Sequence, residues 1–278
     1  MDQGSPLIQL AVFGQYVSKS LSPRIHRMFA RQFALPLEYT AIEATPETFS
    51  TQVRKLAKNG ARGCNVTVPF KNDAWKLATR CSENANRAEA ANTLVFSARE
   101  WFADNTDGGG LVDDLENGNG IQIRDRRVCL LGAGGAAGGV LAALLKRKPH
   151  SILVANRTPA KAQELAKRHA DLGPVTGAGL DAISEASPFD LLINATSQGH
   201  GGTAPDVAAS LFAPHGLFYD MNYGAASRPL RVQCQQRGIA YSDGLGMLVA
   251  QAALSFHTWT GKEADTATVL EALRATGE

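Results

Sequence analysis

The sequence predicts an α/β protein of two domains, with C-terminal helices that return to the first. Three observations predict it. The chain has 278 residues, and a typical domain takes roughly 150. Short apolar runs alternate with helix-like periodicities, the pattern of a mostly parallel sheet covered by helices. Around residues 128–146 an apolar run, a glycine-rich turn and a helical stretch follow one another directly.

In chain order, residues 7–13 read as a strand. Ser22-Pro23 follows, with Ser22 as helix N-cap and Pro23 in the first helical position. Ile25, Met28, Phe29 and Phe33 give that helix its apolar stripe. Residues 37–42 alternate like a strand, and Phe49, Val53 and Leu56 mark a helix stopped by Asn59-Gly60. A strand over 63–68 would put Val66 and Val68 on one face and Asn65 and Thr67 on the other. A short helix over 71–78 and a hairpin from 93–96 through a turn near Arg99-Glu100 complete a first domain, 1–107. A crossover helix near 111–115 leads into a second domain, 108–242, with strands at 128–131, 151–155, 190–194 and 217–219. Residues 245–259 form a long apolar helix after Asp243-Gly244, so 243–278 is read as helices packing back on the first domain. A chain that returns in this way makes a cleft between domains, where ligands commonly bind.

The glycine turn has its own chemistry. It reads Gly132-Ala133-Gly134-Gly135-Ala136-Ala137, a G-x-G-x-x-A pattern between a strand and a helix. Gly132 allows a tight turn, Gly134 lets the backbone approach a pyrophosphate, and Ala137 lets helix and strand pack closely. The free N–H groups of the helix start then suit phosphates, which makes this a Rossmann-type dinucleotide-binding domain. A tightly packed strand–helix–strand unit with no ligand is the competing reading. The next strand ends in Asn156-Arg157-Thr158, with Lys161 one turn into the following helix. An NAD site usually places an acid there; a guanidinium suits a 2′-phosphate, so the expected cofactor is NADP. Thr158 is expected to cap that helix.

Other polar residues sit where a plain fold would not need them. Ser18 and Ser20 follow the first strand, and two such hydroxyls can both donate to one carboxylate; a solvated serine-rich loop is the alternative. Pro69 stops ladder pairing, so Lys71 emerges just beyond a sheet, where an amine can act as acid or base. An ordinary surface lysine is the competing reading. Asn92 opens a strand, and Asp107 stands at a turn before the crossover helix, where a cap or turn role is the default. A carboxylate within about 4–6 Å of Lys71 would hold the amine and favour its charged form.

Composition excludes other classes. Net charge is +2 and hydrophobic content 44%, so no broad basic face for nucleic acid is expected. No run reaches membrane-span length and no signal-like start is visible. Cys64, Cys81, Cys129 and Cys234 lack metal-ligand spacing, so they are expected as reduced thiols of a cytoplasmic protein that binds no metal.

Taken together, these segments resemble the shikimate dehydrogenase family over nearly the whole chain. The resemblance runs through residues 18–23, 65–71, 91–93, 105–108, 132–137, 156–158, 194–197, 219–223 and 243–251. It implies that Lys71 and Asp107 are the catalytic pair, and that Ser18, Ser20, Thr67, Asn92, Tyr223 and Gln251 bind substrate. It also implies that Gly132, Ala133, Gly134, Gly135, Ala136, Asn156, Arg157, Thr158, Lys161, Met221 and Gly244 line the NADP cofactor, with Glu83 a minor contact. The implied reaction is the reversible NADPH-dependent reduction of 3-dehydroshikimate to shikimate in aromatic amino-acid biosynthesis, by a monomer or homodimer. A quinate/shikimate dehydrogenase using NAD is the runner-up, opposed by Arg157. A catalytically silent nucleotide-sensing homologue is opposed by the presence of Lys71 and Asp107. One departure is visible: Glu89 stands where the family often has glycine.

Overall fold

The computed structural model describes residues 6–186 and 188–277. In chain order it has β1 (Ile8–Gly14), α1 (Ser22–Gln32), β2 (Leu37–Glu43), α2 (Phe49–Lys58), β3 (Gly63–Val66), α3 (Lys71–Leu77), β4 (Arg80–Cys81), α4 (Glu83–Ala88), β5 (Thr93–Phe96), β6 (Trp101–Asp104) and α5 (Asp107–Asp113). A turn of π-helix, Asp114–Gly118, extends α5. There follow β7 (Arg127–Leu131), α6 (Gly135–Lys146), β8 (Ser151–Ala155), α7 (Pro159–His169), β9 (Val175–Ala178), α8 (Ala182–Ala186), β10 (Phe189–Asn194), β11 (Phe212–Asp220), α9 (Arg228–Arg237), β12 (Ala240–Ser242), α10 (Leu245–Thr260) and α11 (Thr266–Arg274). The chain divides into two compact units, one running to Gly110 and including Val249–Thr276, the other spanning Leu111–Leu248. Both changes of unit fall inside helices, α5 and α10, a few residues beyond the loop positions at 107 and 242 that the sequence suggested.

The first unit holds a six-stranded sheet in the order β2-β1-β3-β5-β6-β4. β1 runs parallel to β2 and β3, while the β5–β6 hairpin is antiparallel to β3. Consequently the carboxyl ends of β1, β3 and β6 and the amino end of β5 share one edge of the sheet. Phe13, Phe49, Phe70 and Leu94 are buried on one side of it, with Phe49 and Phe70 stacked at 4.7 Å. Each such side chain contributes about 1.5–3 kcal/mol by leaving water. On α10, the Trp259 indole N–H donates to Leu94 O at 2.9 Å. A Cβ on Gly63 would lie 2.3 Å from that indole nitrogen, so strand and helix can meet only over a glycine.

The second unit holds a fully parallel sheet, β12-β11-β10-β7-β8-β9. Counting from β7, the order is 3-2-1-4-5-6, the doubly wound arrangement, and strand order reverses between β7 and β10. Such strands are buried on both faces, which explains runs as apolar as Val128, Cys129, Leu130 and Leu131.

Several local expectations change. Ser22 is not the cap of α1: Leu21 holds that position without a side-chain bond, Ser22 is the first helical residue and Pro23 the second. The strand expected over 63–68 ends at Val66, and Val68 is 64% exposed. Alternation alone suggested pairing there, but Pro69 has no N–H to continue the ladder. Asp107 is the first residue of α5 rather than a turn residue before it. Thr158 occupies the N-cap position of α7 yet makes no side-chain cap bond.

Glu89 ends α4 in the left-handed conformation, at φ 48°. That region costs an L-residue roughly 1–2 kcal/mol, against about 0.5–1 kcal/mol of extra chain entropy for glycine. Glu89→Gly should therefore stabilise the protein by about 0.5–1 kcal/mol in urea unfolding. Glu89→Ala, which keeps a Cβ, should not. Equal gains from both would show that the Glu89 carboxylate, not the backbone, is at fault.

Candidate functional site

The shared edge of the first sheet gathers the polar residues. Lys71 starts α3, four residues after Thr67 leaves β3. Asn92 immediately precedes β5, and Asp107 follows β6 by three residues. Their distances close into a network. The Lys71 ammonium is paired with Asp107 Oδ2, and both side chains are largely buried. Asp107 Oδ1 faces Asn92 Nδ2 at 2.9 Å. That amide also reaches Thr106 Oγ1 at 2.8 Å and Gln251 Oε1 at 3.0 Å, sharing two hydrogens among three acceptors. Asn92 Oδ1 in turn accepts from the Thr106 N–H and the Thr93 hydroxyl, each at 2.9 Å. An amine fixed against a carboxylate whose other oxygen is also held can give or take a proton at a defined point.

Beneath this layer lies a buried polar core. Asn65 Nδ2 donates to Asn92 O at 2.9 Å and Ser255 Oγ at 3.0 Å, while its Oδ1 accepts from Tyr39 OH at 2.7 Å. Ser255 and Thr93 hydroxyls meet at 2.7 Å. Sequence reading missed Ser255, Thr106 and Asn105. The available signal for Ser255 was a hydroxyl four residues after Gln251 on the apolar stretch of α10.

The three serines have distinct settings. Ser18 is exposed, and its N–H donates to Glu43 Oε1 at 3.2 Å. Ser20 Oγ accepts the Ser22 N–H at 3.2 Å. Ser18 and Ser20 both lie in the loop between β1 and α1, and Ser22 is the buried first residue of α1.

In the second unit the glycine turn leaves β7 at the switch point. Gly132 has φ +105°, and a Cβ there would lie 3.2 Å from Ala195 O in the loop after β10, so the fold itself demands this glycine. Gly134 and Gly135 are different. Both are exposed, and a Cβ on either would meet nothing within 4 Å. Their bareness serves no internal packing; it leaves an open cradle at the start of α6, whose N-cap, Gly134, supplies no side chain. Ala133 and Ala136 flank the cradle half-buried. Arg157, Thr158 and Lys161 are exposed around the start of α7, where Asn156 Nδ2 donates to Thr158 O at 3.0 Å. These donors fit a dinucleotide carrying an extra phosphate.

Comparison with known proteins agrees with this architecture. Residues 12–94 match the model of the shikimate dehydrogenase substrate binding domain, 115–202 that of shikimate/quinate 5-dehydrogenase, and 244–274 that of the shikimate 5′-dehydrogenase C-terminal domain. A shikimate dehydrogenase (NADP(+)) of Dechloromonas aromatica is 47% identical over 95% of this chain and 96% of its own length. The chain belongs to the shikimate dehydrogenase family. Among solved structures of similar fold, an Ael1 enzyme from Pseudomonas putida has a TM-score of 0.87 at 38% identity, covering 96% of this chain and 98% of its own. The Thermus thermophilus shikimate 5-dehydrogenase, in complex with NADP(H) and shikimate, has a TM-score of 0.83 at 30% identity, covering 96% and 99%.

Within this shikimate dehydrogenase fold the remaining expected residues have distinct settings. Met221 follows β11, and its N–H donates to Asn194 O at 3.0 Å. Gly244 packs so closely that a Cβ would lie 2.4 Å from Met221 O. Tyr223 is half-buried at the start of a 3-10 turn, Gly224–Ser227, in the second unit. The loop carrying Met221 and Tyr223 is anchored by buried Asp220, whose Oδ1 accepts from Asn194 Nδ2 at 3.0 Å and Asn222 Nδ2 at 2.8 Å. Burial pushes the Asp220 carboxyl above its ordinary range, and these donors hold it back. Glu83 lies in the first unit, at the exposed start of α4, paired with Arg87 at 3.0 Å. All four cysteines are free thiols. Among the described residues, no His, Cys, Asp and Glu cluster could hold a metal, and no helix is long and apolar enough to cross a membrane.

Proposed function

We propose that this chain is an NADP-dependent shikimate dehydrogenase, catalysing the reversible reduction of 3-dehydroshikimate to shikimate on the route to aromatic amino acids. The Lys71–Asp107 pair at the sheet edge carries the reading. NADP(H), when bound, supplies or accepts the hydride. Gly132, Ala133, Gly134, Gly135 and Ala136 would hold its pyrophosphate, Asn156, Arg157, Thr158 and Lys161 its 2′-phosphate end, and Met221 and Gly244 would border it. Lys71 gives its proton to the C3 oxygen as the ketone becomes an alkoxide, and takes it back in the reverse direction. Asp107 fixes the amine, and Asn92 fixes Asp107. Asn92, Asp107 and Gln251 address ring hydroxyls, and Thr67 is assigned to the substrate on the resemblance. Ser18 and Ser20 grip the carboxylate together. Tyr223 is assigned to the substrate, and Glu83 to a minor cofactor contact, on the resemblance alone. The protein works in the cytoplasm as a monomer or homodimer, with no nucleic-acid or membrane partner.

Absorbance at 340 nm, with shikimate and quinate against NADP and NAD, tests the assignment. Quinate should be a poor substrate, because its extra hydroxyl has no matched group in a pocket built on hydrogen bonds. Arg157→Ala should weaken NADP far more than NAD. A hydrogen bond to a charged group is worth about 1.5–3 kcal/mol, or roughly 10- to 150-fold. Wild-type preference for NAD, or a mutant that keeps its discrimination, would promote the NAD-using quinate reading. Absence of turnover with every pair would leave only the silent sensor.

A further inference from the structure

We infer that Asn105 is a positioning residue for proton transfer, acting through Asp107 and Lys71; this rests on the reading of those two as the catalytic pair. Asn105 is 1% exposed. Its Oδ1 accepts the Asp107 N–H at 3.2 Å, and its Nδ2 donates to Ala90 O at 2.9 Å. Directly beyond Ala90, the Ala91 N–H donates to Lys71 O at 2.8 Å, and the Asn92 N–H to Asp104 O at 3.1 Å. One side chain therefore joins the segment that carries Asp107 to the segment that carries Asn92 and holds the start of α3.

The chemistry of the helix start explains why this matters. Asp107 is the first residue of α5, so its N–H has no intrahelical partner. Asn105, two residues earlier, supplies the acceptor and so sets the direction in which α5 leaves β6. That direction aims the Asp107 carboxylate at the Lys71 ammonium and at Asn92 Nδ2. Lys71 is fixed at its other end by its own carbonyl, through Ala91. Loss of Asn105 loosens the acid and the base against each other at once. A displacement of about 1 Å in such a pair can cost on the order of 10²-fold in rate.

The test uses the full chain, with reduction of 3-dehydroshikimate by NADPH as the assay. Asn105→Ala should lower kcat about 10- to 100-fold. NADPH affinity, read by cofactor fluorescence, should stay within about twofold, because the glycine turn belongs to the other unit. Asn105→Ser keeps a cap acceptor for the Asp107 N–H and should recover a large part of the lost kcat. On an Asp107→Ala background, adding Asn105→Ala should change kcat less than about threefold, since its route of action is already gone. The inference is overturned if Asn105→Ala leaves kcat within about twofold while Asp107→Ala cripples it, or if the two losses multiply in full. Should Asn105→Ala fail to fold, Asn105→Ser alone and on the Asp107→Ala background makes the same comparison. Unchanged kcat in Lys71→Ala and Asp107→Ala would instead sink the catalytic pair itself.

Discussion

Lys71→Ala should lower kcat by about 10²- to 10⁴-fold, the usual range for a lost acid or base. Shikimate affinity should change much less, because the amine acts mainly where charge develops at the C3 oxygen. Asp107→Ala should lower kcat as well, for a linked reason: one carboxylate oxygen holds the ammonium and the other faces Asn92 Nδ2 at 2.9 Å. Because the carboxylate works largely through the amine, the double mutant should lose less than the product of the single losses. Steady-state kinetics of the three variants measures this. Full multiplicative loss would show two residues acting independently, and the pair would no longer explain proton transfer.

Acid should destabilise the protein chiefly through His26, and His26→Phe should remove that weakness. The imidazole is wholly buried, stacked on Tyr39 at 4.3 Å with Phe29 and Trp259 around it. Neither ring nitrogen has a hydrogen-bond partner among the described residues. Burial pushes its pKa down to about 3 from 6.5. The nearby Asn65 side chain opposes this to a lesser degree, its Oδ1 already accepting from Tyr39 OH at 2.7 Å. The unfolded chain therefore takes up a proton near pH 6.5, while the folded one resists until about pH 3. Stability is complete above the unfolded pKa and falls with pH inside that window, by about 1.4 kcal/mol per unit. Between pH 7 and 4.5 the loss attributable to His26 is about 2–3 kcal/mol. Urea unfolding at both pH values should show the wild type losing that much more than His26→Phe, which keeps a ring against Tyr39. Parallel losses would assign the acid sensitivity to other groups.

What was legible in the sequence depended on how much apolar surface each element buries. β1, α2, β8 and α10 announce themselves, because each carries a periodic apolar face into a core. α9 does not: only Leu230 and Cys234 are buried, and its other large apolar side chain, Val232, is exposed among polar residues. β9 contains Gly177, where a Cβ would lie 2.2 Å from Ala162 O, so close packing by α7 removed the very side chain that signals a strand. β4 is two residues long and has no period to detect. Within the site, Lys71 and Asp107 were legible by residue type and placement, Asn92 and Gln251 only through the family resemblance, and the structure brings all four into one hydrogen-bonded network. Ser18 and Ser20 were legible as two hydroxyls after β1; the cap role read for Ser22 failed, because the backbone places the cap at Leu21. Asn105 stayed hidden because an asparagine before Thr-Asp reads as an ordinary turn.

The first unit is assembled from two separate stretches of chain, and that has a bearing on how the protein is made. Its sheet is complete in sequence by Asp104, yet Trp259 packs with Leu10, Val12 and Tyr39, and Ser255 bonds to Asn65 and Thr93. Arg62 also donates to Trp259 O at 2.9 Å. None of those partners exists until the C-terminal helices have left the ribosome. The second unit is continuous, Leu111–Leu248, and can close its own core while synthesis is still under way. The half translated first is thus the half finished last. Throughout that interval an apolar sheet face and the buried polar core beneath Asn92 stand open to water, the condition under which nascent chains aggregate or engage chaperones.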